Sequence, residues 1–88
     1  MNMEMKTEMK NVRVEYFAVL REQRGVASER AATGAADATG LYEELRARHG
    51  FTLTAENVRV AINGEFAPWS AALGDGDEVV FLPPVAGG

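Results

Sequence analysis

Apolar and polar residues alternate along several short segments of the chain, with the period of two residues that is typical of a half-buried β-strand. The clearest alternation covers residues 12–20, where one face is predicted to meet the core and carries Val12, Val14, Tyr16 and Ala18. Further strands are predicted at residues 26–32, 58–62, 65–67 and 78–82. Residues 21–25 are predicted to be a turn, so the first two strands should form a hairpin.

A helical pattern is confined to residues 37–49. Thr39 is predicted to be the N-cap and Gly50 a left-handed C-cap. The apolar stripe of this helix is formed by Leu41, Tyr42 and Leu45. Because one helix with a narrow stripe must pack on the sheet, the order of elements predicts an α+β fold, with one main helix on a mixed sheet.

The 88 residues are enough for one domain. All four methionines fall within residues 1–10, which are predicted to be a mobile tail. The folded domain is predicted to cover residues 11–82, and residues 83–88 are predicted to be a flexible, reactive tail.

Three large apolar residues fall on strand faces that also carry charged residues. Phe17 shares its predicted face with Arg13 and Glu15, while Val80 and Leu82 share theirs with Glu78. If the first and last strands are neighbours, these side chains form an exposed apolar patch, which Phe66 extends, and such a patch is typical of a docking surface. Sheet curvature or the Met-rich tail would be the alternative, since either could cover the same residues.

Composition excludes several classes of function. A net charge of −4 disfavours nucleic-acid binding and suits a partner with a basic docking surface. The chain has no cysteine and only one histidine, His49, so neither a disulfide nor a metal cluster is expected. No apolar run approaches the length of a membrane span, and no signal peptide is evident, so a cytoplasmic location is predicted.

The chain ends with a distinctive segment. Pro83 and Pro84 follow the last predicted strand, and the residues after them are Val85, Ala86, Gly87 and Gly88. The prolines stiffen the base, and the glycines leave the end thin enough for a narrow channel in another protein. A terminal glycine carboxylate is unhindered, so it can be activated as an acyl-adenylate and attacked by a nucleophile. A frayed end without function is the alternative.

The stretch DGDEVVFLPPVAGG, residues 75–88, resembles the C-terminus of the small subunits of molybdopterin synthase. The opening stretch VRVEYFAVLRE, residues 12–22, is similar to the first strand of the same family. The resemblance extends over residues 11–88 and implies the β-grasp fold of ubiquitin.

The resemblance also implies a function. The carboxylate of Gly88 would be adenylated by an ATP-dependent enzyme that uses Mg, and then converted to a thiocarboxylate. The tail would enter the large subunit of molybdopterin synthase, in an assembly of two small and two large subunits, and donate sulfur to a pterin precursor. This chain would bind no cofactor directly. Partner-binding residues implied or predicted are Phe17, Phe66, Val80, Leu82, Arg21, Pro83, Pro84, Val85 and Ala86.

Arg21 aligns with a family arginine near the contact with the activating enzyme, although a solvated loop arginine is an equally good interpretation. Two other functions share the Gly-Gly terminus. One is a sulfur carrier for thiamine or tRNA thiolation, and the other is a ubiquitin-like modifier that forms isopeptide bonds with lysines. A β-grasp module without chemistry leaves the Gly-Gly terminus unexplained.

Overall fold

The protein is described by a computed structural model that covers residues 9–84. Its elements in chain order are β1 Lys10–Tyr16, α1 Ala18–Arg24, β2 Ser28–Thr33, α2 Ala38–His49, a 3₁₀ turn Ala55–Asn57, β3 Arg59–Ile62, β4 Glu65–Ala67 and β5 Glu78–Leu82. The strands form one mixed sheet in the order β2-β1-β5-β3-β4. The β1–β5 pair is parallel, and the other pairs are antiparallel. The predicted α+β class and β1–β2 hairpin pairing are confirmed.

One face of the sheet, here called the inner face, packs against α2. Val12, Val14 and Tyr16 are at most 2% exposed, which confirms the core face predicted for the first strand. Helix α2 contributes the buried residues Ala38, Leu41, Tyr42 and Leu45. The Tyr42 ring lies 5.1 Å from the Phe81 ring in an edge-on contact, so the helix and the last strand share an aromatic core.

The prediction for residues 17–25 was wrong. Strand β1 ends at Tyr16, and the residues predicted to continue it and then turn form α1 instead. Ala18, which was predicted to face the core, is exposed, whereas Leu20 is fully buried. The sequence AVLREQR contains mostly good helix formers, and burial of Leu20 gives them a tertiary contact that favours the helix. Gly25 ends α1 in the left-handed conformation, with φ of 92°.

The start of α2 also differs from the prediction. Asp37, and not Thr39, is the N-cap, and its carboxylate accepts a hydrogen bond of 2.9 Å from the backbone N–H of Gly40. The Thr39 hydroxyl instead donates to the carbonyl of Trp69 at 3.0 Å. The predicted C-cap is confirmed, because Gly50 has a φ of 74°.

The turn between β3 and β4 is connected to the start of β5. Asn63 and Gly64 have φ values of 53° and 88°, as a type I′ hairpin turn requires. The Asn63 amide donates to the Asp77 carboxylate at 3.0 Å and accepts from the backbone N–H of Glu78 at 2.9 Å. The predicted turn at Asn63-Gly64 is therefore confirmed, and its side chain also holds the first residue of β5 in place.

Candidate docking surface at the base of the C-terminal segment

Strand β5 carries the C-terminal segment and lies in the centre of the sheet, between β1 and β3. Pro83 and Pro84 follow it directly, and neither can donate a ladder hydrogen bond. Of the predicted site residues, Val85, Ala86, Gly87 and Gly88 lie outside the described residues. The predicted Met-rich tail falls outside them as well, except for Met9 and Lys10. Lys10 is the first residue of β1, one position before the predicted start of the domain.

The two faces of β5 differ in burial. Val79 and Phe81 on the inner face are 0% exposed. Val80 and Leu82 on the opposite face, here called the outer face, are only half-buried. In the strand register Val80 lies opposite Glu15 of β1 and Ala61 of β3, and Leu82 lies opposite Arg59 of β3. Two apolar residues therefore remain accessible on the strand that leads into Pro83 and Pro84.

Phe17 lies beside Leu82 at the end of the sheet. It follows Tyr16, whose partner in β5 is Phe81, and it caps α1 with 45% of its surface exposed. Phe17 and the end of β5 line one apolar groove, together with Val19, Glu22, Leu53 and Pro84. Phe17 is exposed as the strand pattern predicted, but it is exposed because it precedes a helix, not because it alternates along a strand.

Phe66 lies on the other side of the last strand. It belongs to β4, pairs with Ala61, and is 65% exposed. A second groove runs between Phe66 and Pro84, so Leu82 and the two prolines form the wall that the two grooves share. We define the docking surface by five residues that line these grooves, Phe17, Phe66, Leu82, Pro83 and Pro84, together with Val80, which lies on the same outer face of β5 as Leu82.

Arg21 lies on α1, one turn after Phe17, and is exposed. The predicted turn around it was wrong, and its backbone N–H donates to the Phe17 carbonyl at 3.4 Å. Within residues 9–84 its guanidinium forms neither a salt bridge nor a side-chain hydrogen bond.

Sequence reasoning missed Arg59 as a member of this region. Its guanidinium carbon lies 4.8 Å from the centre of the Phe66 ring, which is a cation–π contact. The signal was present in the strand pattern, since residue 59 shares the outer face with Ala61. The register of β3 against β5 is needed before this position can be placed beside Leu82.

The strongest electrostatic interactions lie away from the docking surface. Arg24 binds the Glu29 carboxylate through two hydrogen bonds of 3.0 and 2.6 Å, and the Tyr16 hydroxyl donates to the same carboxylate at 2.6 Å. These contacts, led by Arg24, lower the pKa of Glu29 to about 2, whereas burial raises the pKa of Tyr16. Burial also lowers the pKa of His49, whose Nε2 lies 3.5 Å from Glu29. This cluster joins α1, β2 and the end of α2, so its role is structural.

The described part of the chain contains no group of three His, Asp or Glu side chains arranged to hold a metal ion. None of the helices within residues 9–84 is long and apolar enough to cross a membrane. The reactive group predicted from sequence, the Gly88 carboxylate, lies outside the described residues.

A five-stranded mixed sheet that packs on one main helix, with its last strand in the centre, defines a ubiquitin-like β-grasp protein. The ThiS family model matches residues 14–88 of the chain, a range that includes Gly87 and Gly88. The chain belongs to the ThiS family.

A curated relative, the molybdopterin synthase sulfur carrier subunit of Mycobacterium tuberculosis, is 36% identical over 83 residues. That similarity covers 91% of this chain and 100% of the relative. The sequence-based assignment to the ubiquitin-like sulfur carriers, with their β-grasp fold, is confirmed.

Two solved structures extend the comparison. The small archaeal modifier protein 1 of Haloferax volcanii has a TM-score of 0.70 and 28% identity, covering 86% of this chain and 99% of that one. A chain in the complex of subunits 1 and 2 of the molybdopterin-converting factor from Helicobacter pylori matches with a TM-score of 0.60 and 28% identity. That match covers 89% of this chain and 99% of the other.

Proposed function

We propose that this chain is the sulfur carrier subunit of a molybdopterin synthase and that the Gly88 carboxylate is its working group. The observation that supports the proposal most directly is the family match, which continues through Gly88, on a fold that exposes apolar side chains around the base of the same segment. The relative from Mycobacterium tuberculosis carries the same functional name.

The proposed chemistry begins with activation by a separate enzyme that uses ATP and Mg. A carboxylate oxygen of Gly88 attacks the α-phosphate of ATP, pyrophosphate leaves, and a mixed anhydride with AMP is formed. Hydrosulfide supplied by a sulfur donor then attacks the carbonyl carbon, AMP leaves with the electron pair of the broken C–O bond, and the sulfur loses its proton. The product is a thiocarboxylate, in which sulfur replaces one carboxylate oxygen.

The thiocarboxylate would then be presented to a larger partner subunit that holds the pterin precursor, in a heterotetramer of two small and two large subunits. The complex of subunits 1 and 2 in Helicobacter pylori supports a partner of this kind. We propose that the docking surface binds this subunit, with Phe17 and Phe66 on opposite sides of Leu82 as apolar anchors. Pro83 and Pro84 would direct Val85, Ala86, Gly87 and Gly88 into the partner, and Arg21 would contact the activating enzyme.

The deciding experiment is intact-protein mass spectrometry after incubation with the activating enzyme, ATP, Mg and a sulfur donor. We expect a mass increase that corresponds to one oxygen replaced by sulfur. Deleting Gly88, or adding a residue after it, should abolish the increase while the unfolding transition stays unchanged. An unmodified wild-type chain in the presence of a demonstrably active enzyme would contradict the proposal, as would full sulfur transfer by either variant.

A second candidate function is protein modification, which is favoured by the similarity to the archaeal modifier protein. A modifier would transfer the same activated glycine to a lysine amine instead of sulfur. Linkage of one copy of this chain to another would have few acceptor sites, because its only lysines are Lys6 and Lys10. The Lys10 ammonium also donates a hydrogen bond to the Ala35 carbonyl at 2.9 Å. Isopeptide-linked products in the same reaction mixture, without a thiocarboxylate, would favour the modifier.

A further inference from the structure

Arg59 stands out among the exposed cations because it lines the second groove, next to Phe66 and Leu82 of the docking surface. It lies on the outer face of β3, directly opposite Leu82 of β5. Its guanidinium carbon lies over the ring of Phe66, the most exposed large apolar side chain among the described residues. A charged group is therefore held at the edge of an apolar surface, beside the base of the C-terminal segment.

This contact leaves the hydrogen-bonding capacity of Arg59 unused. A cation–π contact uses none of the N–H donors of a guanidinium in a hydrogen bond to a carboxylate, so the group can still bind a carboxylate in a bidentate fashion. Within residues 9–84, Arg59 forms no salt bridge and no side-chain hydrogen bond. Arg24, by contrast, has its donors taken by Glu29.

The surroundings of Arg59 favour a protein partner. Arg59 lines the second groove together with Glu56, Phe66, Leu82, Pro83 and Pro84. Glu56 lies in the same groove but does not pair with Arg59. Apolar contacts at Phe66 and Leu82 would exclude water during binding, and a carboxylate that reached Arg59 would then interact more strongly than it does in solvent.

We infer that Arg59 is a specificity-determining residue of the docking surface, which selects a partner subunit that presents a carboxylate next to apolar side chains. This inference rests on the proposed function, because it takes the larger synthase subunit as the partner. The overall charge of −4 by itself favours a basic surface on the partner. The inference adds that this surface must also carry a carboxylate at the position that meets Arg59. The partner is expected to be basic overall, with an acidic residue where it meets Arg59.

A different role for Arg59 would be to cover Phe66 and keep the free chain from associating with itself. In that case replacing Arg59 would change the self-association of the chain and leave its affinity for the large subunit unchanged. The two roles are separated by measuring both quantities on the same variants.

The test is titration calorimetry of the full chain with the large subunit at low and high ionic strength. Arg59→Glu should weaken binding by at least about tenfold, because it sets a like charge against the partner carboxylate. Arg59→Met should weaken binding by about threefold and reduce the salt dependence. Arg59→Lys, which keeps the charge but not the planar fork, should fall between wild type and Arg59→Met.

Arg30→Glu is the matched control, because this substitution changes the net charge by the same amount as Arg59→Glu does. Arg30 is also exposed, but it lies on the edge strand β2, away from Leu82. Its binding should stay within about twofold of wild type. Circular dichroism melts establish that each variant is folded, and Arg59→Lys preserves the test if Arg59→Glu does not fold.

Phe17→Asp separates the inference from the proposed function. If Phe17→Asp abolishes binding but Arg59→Glu and Arg59→Lys bind as wild type does, the role of Arg59 is overturned and the docking surface stands. If the wild-type chain does not bind the large subunit at all, both are overturned.

Discussion

The two faces of β5 show how one strand can serve both folding and binding. Val79 and Phe81 point inward and are completely buried, while Val80 and Leu82 point outward and are only half-buried. The four residues are consecutive and all apolar, so hydrophobicity alone does not separate them. What separates them is the side of the sheet on which α2 packs.

Residues on the inner face are constrained by close packing, since any change in volume affects α2 and the aromatic core around Tyr42. On the outer face Val80 and Leu82 are only half-buried, so both remain accessible to a partner. The comparison predicts that substitutions on the inner face reduce stability first, whereas substitutions on the outer face reduce binding first.

The largest expected effect is on the inner face. Phe81→Ala removes a ring that contacts Tyr16, Tyr42 and Trp69, and should lower the free energy of unfolding by about 3–5 kcal/mol. Leu82→Ala should lower it by only about 1 kcal/mol and mainly weaken binding of the large subunit. Urea denaturation followed by circular dichroism measures both values, and equal losses for the two variants would remove the distinction between the faces.

A smaller effect is expected at the edge of the inner face, where Glu29 lies. Its pKa is lowered from 4.5 to about 2, so the ion pair with Arg24 stabilises the folded state above about pH 4.5 and this contribution is lost as the pH falls towards 2. Glu29→Gln should cost about 1 kcal/mol at neutral pH.

Stability measured by urea denaturation across this pH range provides the check. The stability difference between wild type and Glu29→Gln should shrink as the pH falls from 4.5 towards 2, because wild-type Glu29 becomes protonated. A constant difference throughout this window would show that Glu29 does not act through its charge.

The smallest expected effect concerns the start of α2, the helix that covers the inner face. Asp37→Ala removes the N-cap and should lower the free energy of unfolding by about 1 kcal/mol. Thr39→Ala removes one exposed hydrogen bond to Trp69 and should cost less, at most about 0.5 kcal/mol. Thermal melts of the two variants compare these losses of stability directly. A larger loss for Thr39→Ala would support Thr39 as the N-cap, as the sequence predicted.

The sequence predicted well those elements whose signal is local. Asn63-Gly64 requires positive φ at both residues, and the alternation at residues 78–82 continues to the prolines, so β5 has the predicted bounds. The segment after Tyr16 could not be predicted in this way, because Phe17, Val19 and Leu20 are compatible with either period. Burial of Leu20 decides in favour of α1, and that burial depends on the rest of the fold.

The docking surface was predictable only in part, for the same reason. The outward direction of Val80 and Leu82 follows from strand parity, but the separation of Phe17 from Phe66 by Leu82 depends on the order of strands in the sheet. The cation–π contact of Arg59 with Phe66, and its place beside Leu82, could likewise be predicted only from the pairing of β3 with both β4 and β5. Pattern along the chain gives the face of a residue, and only the sheet register gives its neighbours.

The central position of β5 has a mechanical consequence for the segment that follows it. Strand β5 is hydrogen-bonded to β1 on one side and to β3 on the other. Ladder hydrogen bonds run across the strands, so a pull along β5 from Pro84 would load both rows in shear, with all bonds sharing the force at once. The domain should therefore resist traction on this end better than it would if the segment followed an edge strand.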